Sequence, residues 1–166
     1  HFSGYSDQRI LHVRYCDLLD TREGNNNNSD GFVGGTGSSI RDSFISTKDD
    51  AIKIYHDIII ENVIIEQHRN GAPLQLGWGG KNSSAKAIIH NLKIIGTDPE
   101  NRYNMAPVSW VAGIQCERFL YIDGMQIDIK GSRYDKSSRK WRPVELFFLS
   151  VSDNCKLCGD ANHLSG

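Results

Sequence analysis

The sequence lacks the features that mark several large classes of protein. No stretch approaches the run of about 18 apolar residues that a membrane-spanning helix needs. Basic residues number 19 and acidic residues 20, for a net charge of -1, so neither nucleic acid nor an anionic membrane is an expected partner. The first residues have neither the charged nor the apolar region of a signal peptide. Long stretches with helical periodicity are missing, so we expect few helices.

Cysteine is also scarce, with four positions: Cys16, Cys116, Cys155 and Cys158. Cys155 and Cys158 form a single C-x-x-C motif without the second pair that a zinc site needs. We therefore expect a disulfide in the tail or free thiols. The sequence predicts neither a bound metal nor a cofactor.

Short runs of β-branched residues are abundant, and Gly, Asn, Asp and Pro separate them, as is typical of an all-β fold. The runs share one pattern, in which an isoleucine is followed by a small or polar residue and then by a second isoleucine. The first isoleucines are Ile40, Ile60, Ile89 and Ile122, the small or polar residues are Asp42, Asn62, Asn91 and Gly124, and the second isoleucines are Ile45, Ile65, Ile94 and Ile127.

Spacings of 20, 29 and 33 residues between the first isoleucines favour a parallel β-helix, in which each coil stacks on the next. The alternative is an antiparallel β-sandwich, which needs tight hairpins between paired strands. The one Asn-Gly pair, Asn70-Gly71, lies within a repeat instead. We therefore favour the β-helix.

A turn and a second short strand are expected after each run, and three of these strands begin with Pro73, Pro107 and Pro143. The turns at residues 68–72, 96–106 and 130–142 lengthen toward the C-terminus and would wall a groove. Residues 11–18 are expected to form an earlier coil. Residues 1–153 would form the coils, and the polar residues 154–166 a cap or tail.

Three aspartates carry the predicted chemistry. Asp30-Gly31 aligns with Asp50-Ala51 one coil later, and Asp49 precedes Asp50. Neighbouring coils lie about 5 Å apart, so the three carboxylates would converge. Crowded carboxylates push their pKa values apart, which leaves one protonated as an acid and another ionised as a base. Cleavage of a glycosidic bond needs this division of labour.

Residues 30–78 resemble glycoside hydrolase family 49, the dextranases and isopullulanases. The matching parts are Asp30-Gly31, the DDAIKIYH block at residues 49–56, and the segment NGAPLQLGW at residues 70–78. Ala72 departs from the family's Asn-Gly-Pro order. The polygalacturonases of family 28 are a weaker match, because their Gly-His-Gly and Arg-Ile-Lys segments are absent, and His68 lacks flanking glycines.

The resemblance implies a right-handed parallel β-helix and an inverting hydrolase of an α-glucan such as dextran or pullulan, secreted to its polysaccharide substrate. By position, Asp49 would be the general acid, and Asp30 and Asp50 would hold the attacking water. The residues expected to contact the sugar are Lys53, Tyr55, Gln75 and Trp78. Two N-glycosylation sequons, at Asn27 and Asn82, are compatible with a secreted glycoprotein.

Two other functions remain open. The chain would be a structural or glycan-binding module outside the cell if the aspartates no longer catalyse. A calcium site formed by the three carboxylates with Asn28 is less favoured, since the spacing is not that of an EF-hand and Lys48 and Lys53 stand close to the carboxylates. The family also has an N-terminal β-sandwich and earlier coils that this sequence does not contain. We therefore expect this β-helix to be part of a longer one. Another chain or a missing segment would then cover its exposed apolar end.

Overall fold

The structure is a computed structural model, and it describes residues 2–3, 9–24, 28–79, 84–112, 116–135, 138–151 and 155–165. Every regular element in these ranges is a β-strand, which confirms the all-β prediction. Within the same ranges, no helix has the length and apolarity needed to cross a membrane.

The strands in chain order are β1 Phe2–Ser3, β2 His12–Arg14, β3 Asp17–Leu19, β4 Phe32–Val33, β5 Ser38–Ser46, β6 Ile52–Lys53, β7 Ile58–Gln67, β8 Leu74–Gly79, β9 Ala85–Gly96, β10 Arg102–Tyr103, β11 Val108–Ala112, β12 Cys116–Asp128, β13 Ser132–Asp135, β14 Lys140–Pro143, β15 Phe147–Val151 and β16 Cys155–Ser165.

Two parallel sheets organise these strands. A six-stranded sheet has the order β1-β4-β6-β8-β11-β15, and a seven-stranded sheet includes β16-β12-β9-β7-β5-β2, with β3 also paired to β5. From β5 onward the chain alternates between the two sheets, giving one strand to each in every coil. This alternation is compatible with a parallel β-helix, because only a repeated crossover brings consecutive strands of one sheet side by side in parallel.

The register of the seven-stranded sheet confirms the predicted columns. Ile40 pairs with Ile60, Ile60 with Ile89, and Ile89 with Ile122. The second set, which begins at Ile45, pairs in the same way. The first three isoleucines of the first column are fully buried, so the spine of the core is one continuous stack of β-branched side chains.

The small or polar position inside each run has a specific backbone conformation. Asp42, Asn62, Asn91 and Gly124 all have positive φ, between 47° and 74°. Few residues other than glycine and asparagine tolerate this left-handed region. The side chains also form a ladder, since the amide of Asn62 donates to Asp42 (2.9 Å) and the amide of Asn91 donates to Asn62 (3.0 Å).

A third sheet consists of the long turns. β10, β13 and β14 lie in this order, and the pair β13–β14 is antiparallel. Pro73 and Pro107 directly precede β8 and β11, as expected. The prediction that Pro143 begins a strand is wrong, because the chain first folds back as the β13–β14 hairpin, which Pro143 ends, and β15 begins only at Phe147.

At the N-terminal side, the strands β2 and β3 both pair in parallel with β5, which is compatible with the predicted earlier coil. At the other end, β16 pairs in parallel with β12. The predicted boundary between coils and tail at residues 153 and 154 stays a prediction.

The described thiols, those of Cys16 and Cys158, are free, which supports free thiols over a disulfide for these two residues. The side chains of Cys116 and Cys155 lie outside the part that the structure describes. The sequon residues Asn27 and Asn82 lie outside the described residues altogether.

The positive φ of Asn62 predicts an unusual order of stability for two variants at this position. Asn62→Ala should be less stable than Asn62→Gly by about 1–2 kcal/mol, because a Cβ without a compensating amide is strained at positive φ. The measurement is urea unfolding of both variants. At the exposed strand position Gln126 the order should reverse, with glycine less stable than alanine by about 0.5–1 kcal/mol. The same order at both positions would contradict this account of the ladder.

Candidate active site

The three aspartates lie in the turns that lead into β4 and β6. Phe32 of β4 pairs with Ile52 of β6, which confirms the predicted offset of 20 residues. The N–H of Gly31 donates to the carbonyl of Asp50 at 3.0 Å and so extends this pairing back to the carboxylates. One oxygen from each of Asp30, Asp49 and Asp50 lies within 4.8 Å of the others.

Glycines permit the close approach of these turns. A Cβ on Gly31 would run into the backbone carbonyl of Ala51. Gly71 has a φ of +78°, and a Cβ there would run into the backbone of Asp49. The Asp-Gly and Asn-Gly pairs of the sequence therefore fall where two turns meet backbone to backbone.

Lys53, at the end of β6, holds two of the carboxylates. Its ammonium lies 2.8 Å from Asp30 Oδ2 and 3.6 Å from Asp50 Oδ2, and all three side chains are largely buried. Burial alone would lower the pKa of Lys53, but the hydrogen bond to Asp30 and the charges of both aspartates raise it above its ordinary value. Lys53 is therefore a fixed positive charge between two acids.

The two adjacent aspartates differ in environment. Burial raises the pKa of Asp50 to about 6, against the opposing effects of Ala72 N–H and Lys53. Burial also raises the pKa of Asp49, and the charge of Asp30 raises it further. Ala72 N–H donates to Asp50 Oδ1 at 3.0 Å, whereas the contact at Asp49 Oδ1 is the N–H of Asp50, also at 3.0 Å.

These contacts and the pKa shifts favour different aspartates as the proton donor. The larger shift makes Asp50 the group that holds a proton more tightly. Its two oxygens, however, face the N–H of Ala72 and the ammonium of Lys53, and a protonated carboxyl needs an acceptor for its own hydrogen. A pKa of about 6 also leaves Asp50 mostly ionised at neutral pH, so the contacts favour Asp49 as the proton donor.

An open cleft of about 540 Å³ adjoins the carboxylates. Its lining includes four residues expected to act on sugar, Asp49, Lys53, Tyr55 and Trp78, together with Asp50. The indole of Trp78 is exposed over 59% of its surface, so an apolar face is available beside the acids. The remaining lining residues are Asn28, Asn70, Gly71 and Met105.

The sequence signalled some of these further residues. Asn70-Gly71 belongs to the segment that carries the family resemblance, although no role was assigned to it. Asn28 lies in a run of asparagines, and the sequence suggested it only as a ligand of the less favoured calcium site. Met105 had no signal, because it comes from a long turn whose path does not follow from the repeat.

Gln75 does not fit its predicted role as a sugar contact. It pairs with Lys53 across the ladder but is fully buried. Its Oε1 accepts a hydrogen bond from Gly77 N–H at 3.0 Å, and its Nε2 has no partner among the described residues. The next strands, β11 and β15, continue the sheet over this position, and Gln75 is not part of the cleft lining.

The three carboxylates are also the group of described residues best placed to share a cation. Lys53 already supplies a positive charge at 2.8 Å from Asp30. A second cation at this position would be repelled by the ammonium. The geometry therefore suits acid–base chemistry better than a calcium site.

Comparisons with known proteins agree with part of this picture. Dextranases from Arthrobacter sp. (strain CB-8) and Arthrobacter globiformis are 34% and 33% identical to the chain over 61 residues, which is 33% of this chain and 10% of each relative. The chain thus spans about a tenth of the length of these relatives. No protein-family model and no solved structure matches it. This partial similarity supports a relation to dextranases and, at the coarsest level, a glycoside-hydrolase-like function.

Ionised Asp50 should destabilise the fold. Its pKa is about 6 in the fold and 3.8 ordinarily, so folding favours the protonated form. This contribution to stability is complete at acidic pH and is lost as the pH rises through 6. Between pH 4 and pH 7.5, the free energy of unfolding of the wild type should therefore fall by about 2–3 kcal/mol relative to that of Asp50→Asn, whose amide does not titrate.

Urea unfolding of the wild type and Asp50→Asn across this pH range measures the effect. Asp128→Asn, which removes an exposed carboxylate from β12, is the matched control and should change little at any pH. A difference in stability between the wild type and Asp50→Asn that does not change with pH would contradict the burial cost assigned to Asp50.

Proposed function

We propose that this chain is the catalytic part of a glycoside hydrolase that cleaves an α-glucan, such as dextran or pullulan, by inversion. The observation that carries the proposal is the group of three carboxylates, two of which, Asp49 and Asp50, line an open cleft with an exposed tryptophan. The proposal includes the finer fold: the coils form a right-handed parallel β-helix that belongs to a longer one, whose apolar end is covered by another segment or chain. It also includes secretion of the protein to a polysaccharide substrate.

In the proposed reaction, Asp49 is the general acid and gives its proton to the glycosidic oxygen as the bond to the anomeric carbon breaks. A water molecule attacks that carbon from the opposite face and gives its proton to the carboxylate pair Asp30 and Asp50. One water is consumed, and Asp49 recovers a proton as the pair loses one. Lys53 opposes the effect of burial on the pKa of Asp50 and holds Asp30 in place through an ion pair.

Asp30 has an oxygen suited to this task. Its Oδ2 is held by Lys53, but its buried Oδ1 has no hydrogen-bond partner among the described residues. A buried acceptor without a partner gains stability from a donor, and the attacking water is such a donor. Tyr55 and Trp78 would hold the sugar ring on the open side of the cleft.

The spacing of the carboxylates favours a retaining mechanism as the alternative to inversion. Inverting pairs usually stand about 6.5–9.5 Å apart and retaining pairs about 5–5.5 Å. The nearest oxygens here lie within 4.8 Å of one another, which is closer to the retaining arrangement. We keep inversion because both oxygens of Asp50 face donors, while Asp30 has one oxygen on Lys53 and the other buried, where a small water fits better than the anomeric carbon of a sugar.

The anomer of the first product distinguishes the two mechanisms. Proton NMR at early times should show the β-anomer at the new reducing end when an α-glucan is cleaved. Initial release of the α-anomer would overturn inversion in favour of a covalent intermediate on Asp30 or Asp50. Release of no reducing sugar from dextran, pullulan or starch, by a folded protein that still binds glucan, would favour the glycan-binding module.

Removal of the general acid should depend on the leaving group. Asp49→Asn should lower kcat on dextran by about 10³-fold, because general acid catalysis typically contributes a factor of this size. On a dinitrophenyl glucoside, whose leaving group needs no proton, the loss should be small. Asp50→Asn should lower the rate on both substrates, and Asp128→Asn on neither. Equal losses for Asp49→Asn on both substrates would contradict its role as the acid.

A further inference from the structure

The long turns stand in the same column as the carboxylates. Residues 47–51 connect β5 to β6 and carry Asp49 and Asp50, and residues 68–73, 97–107 and 129–146 make the same connection in the next three coils. The last two segments form the third sheet. At about 4.8 Å per coil, the β13–β14 hairpin lies about 15 Å along the stack from the acids.

The third sheet is fixed to the rim of the cleft. Met105, in residues 97–107, lines the cleft. The N–H of its neighbour Asn104 donates to the carbonyl of Arg69 at 2.7 Å. The amide of Asn104 reaches Asn70, another lining residue, at 3.4 Å. The turn that carries β10 is therefore held against the turn that lines the cleft.

An aromatic pair stands on this sheet. Tyr134 of β13 pairs across the hairpin with Trp141 of β14, and their ring centroids are 5.4 Å apart with the planes inclined by 60°. The guanidinium of Arg102 lies 5.4 Å from the centroid of the Trp141 ring. Trp141 is nevertheless 45% exposed, and Arg102 is paired to the exposed carboxylate of Glu100 at 2.8 Å.

We propose that Trp141, with Tyr134 and Arg102, forms a distal binding site for the glucan chain. This inference rests on the proposed function and adds a second contact with the same substrate. The apolar face of a pyranose ring packs on indole, while the guanidinium and Glu100 offer hydrogen bonds to hydroxyl groups. A glucan bound at the carboxylates reaches this site only if it extends several sugar units along the stack, so the site selects for polymer.

The test compares a polymer with a short substrate of the same linkage. Trp141→Ala should lower the ratio of kcat/KM on dextran to kcat/KM on isomaltotriose by about tenfold, mainly through a higher KM on dextran. Trp141→Phe, which keeps an aromatic face, should restore most of the ratio. Tyr121→Ala removes a similarly exposed aromatic from the seven-stranded sheet and should leave the ratio unchanged.

An unchanged ratio in Trp141→Ala would overturn the distal site, whether kcat/KM stays the same on both substrates or falls equally on both. If Trp141→Ala does not fold, Arg102→Ala replaces it, with the same expected fall and the same overturning results.

Binding without turnover separates this inference from the proposed function. In the Asp49→Asn background, dextran in a native gel should retard the protein, and adding Trp141→Ala should remove most of that retardation. Retardation that persists in the double variant overturns the distal site alone. Absence of retardation in Asp49→Asn, together with no hydrolysis by the wild type, overturns both.

Discussion

The parallel ladder between successive coils determines where the chemistry lies. Each strand bonds to the equivalent strand of the next coil, so a residue is fixed by its position within the coil rather than by its distance along the chain. Asp30 and Asp50 meet because Phe32 pairs with Ile52. If this register slipped by one residue, the side chains of β6 would change faces, and Lys53 would point into the core.

The site that this register creates is costly to the fold. Three carboxylates and one ammonium share a small, partly buried region, and burial is the largest influence on the pKa of Asp50. Lys53 neutralises part of the negative charge and also holds Asp30 in position. A scaffold gains nothing from acids held in this way, which favours catalysis over a purely structural role. The long turns beyond the acids offer surface for an extended ligand.

The sequence predicts those parts of the fold and of the candidate site that follow the repeat, and not those that depend on the long turns or on packing between segments. The isoleucine columns follow from sequence because one face of each strand must be apolar, and the offset from Asp30 to Asp50 follows from the same repeat. The burial of Gln75 did not follow, because the ladder places it beside Lys53, which lines the cleft. The β13–β14 hairpin lay in a turn predicted to be long, but antiparallel pairing within an insertion has no repeat to reveal it, and Pro143 gave a misleading signal. The role of Gly71 is clear only when the backbone of Asp49 is seen against it.

The ladder at positive φ also gives the stack a direction. The amides of Asn62 and Asn91 both donate toward the preceding coil, and Asn62 also accepts from the following one. Asp42 accepts only and is met on its other side by Arg14 at 2.8 Å, and Gly124 brings no side chain at all. An aspartate in place of Asn62 would have no N–H to donate to Asp42 in the preceding coil. The coils are therefore not interchangeable parts, although their isoleucine cores look alike, and a protein engineer who shuffled or duplicated them would have to preserve this order.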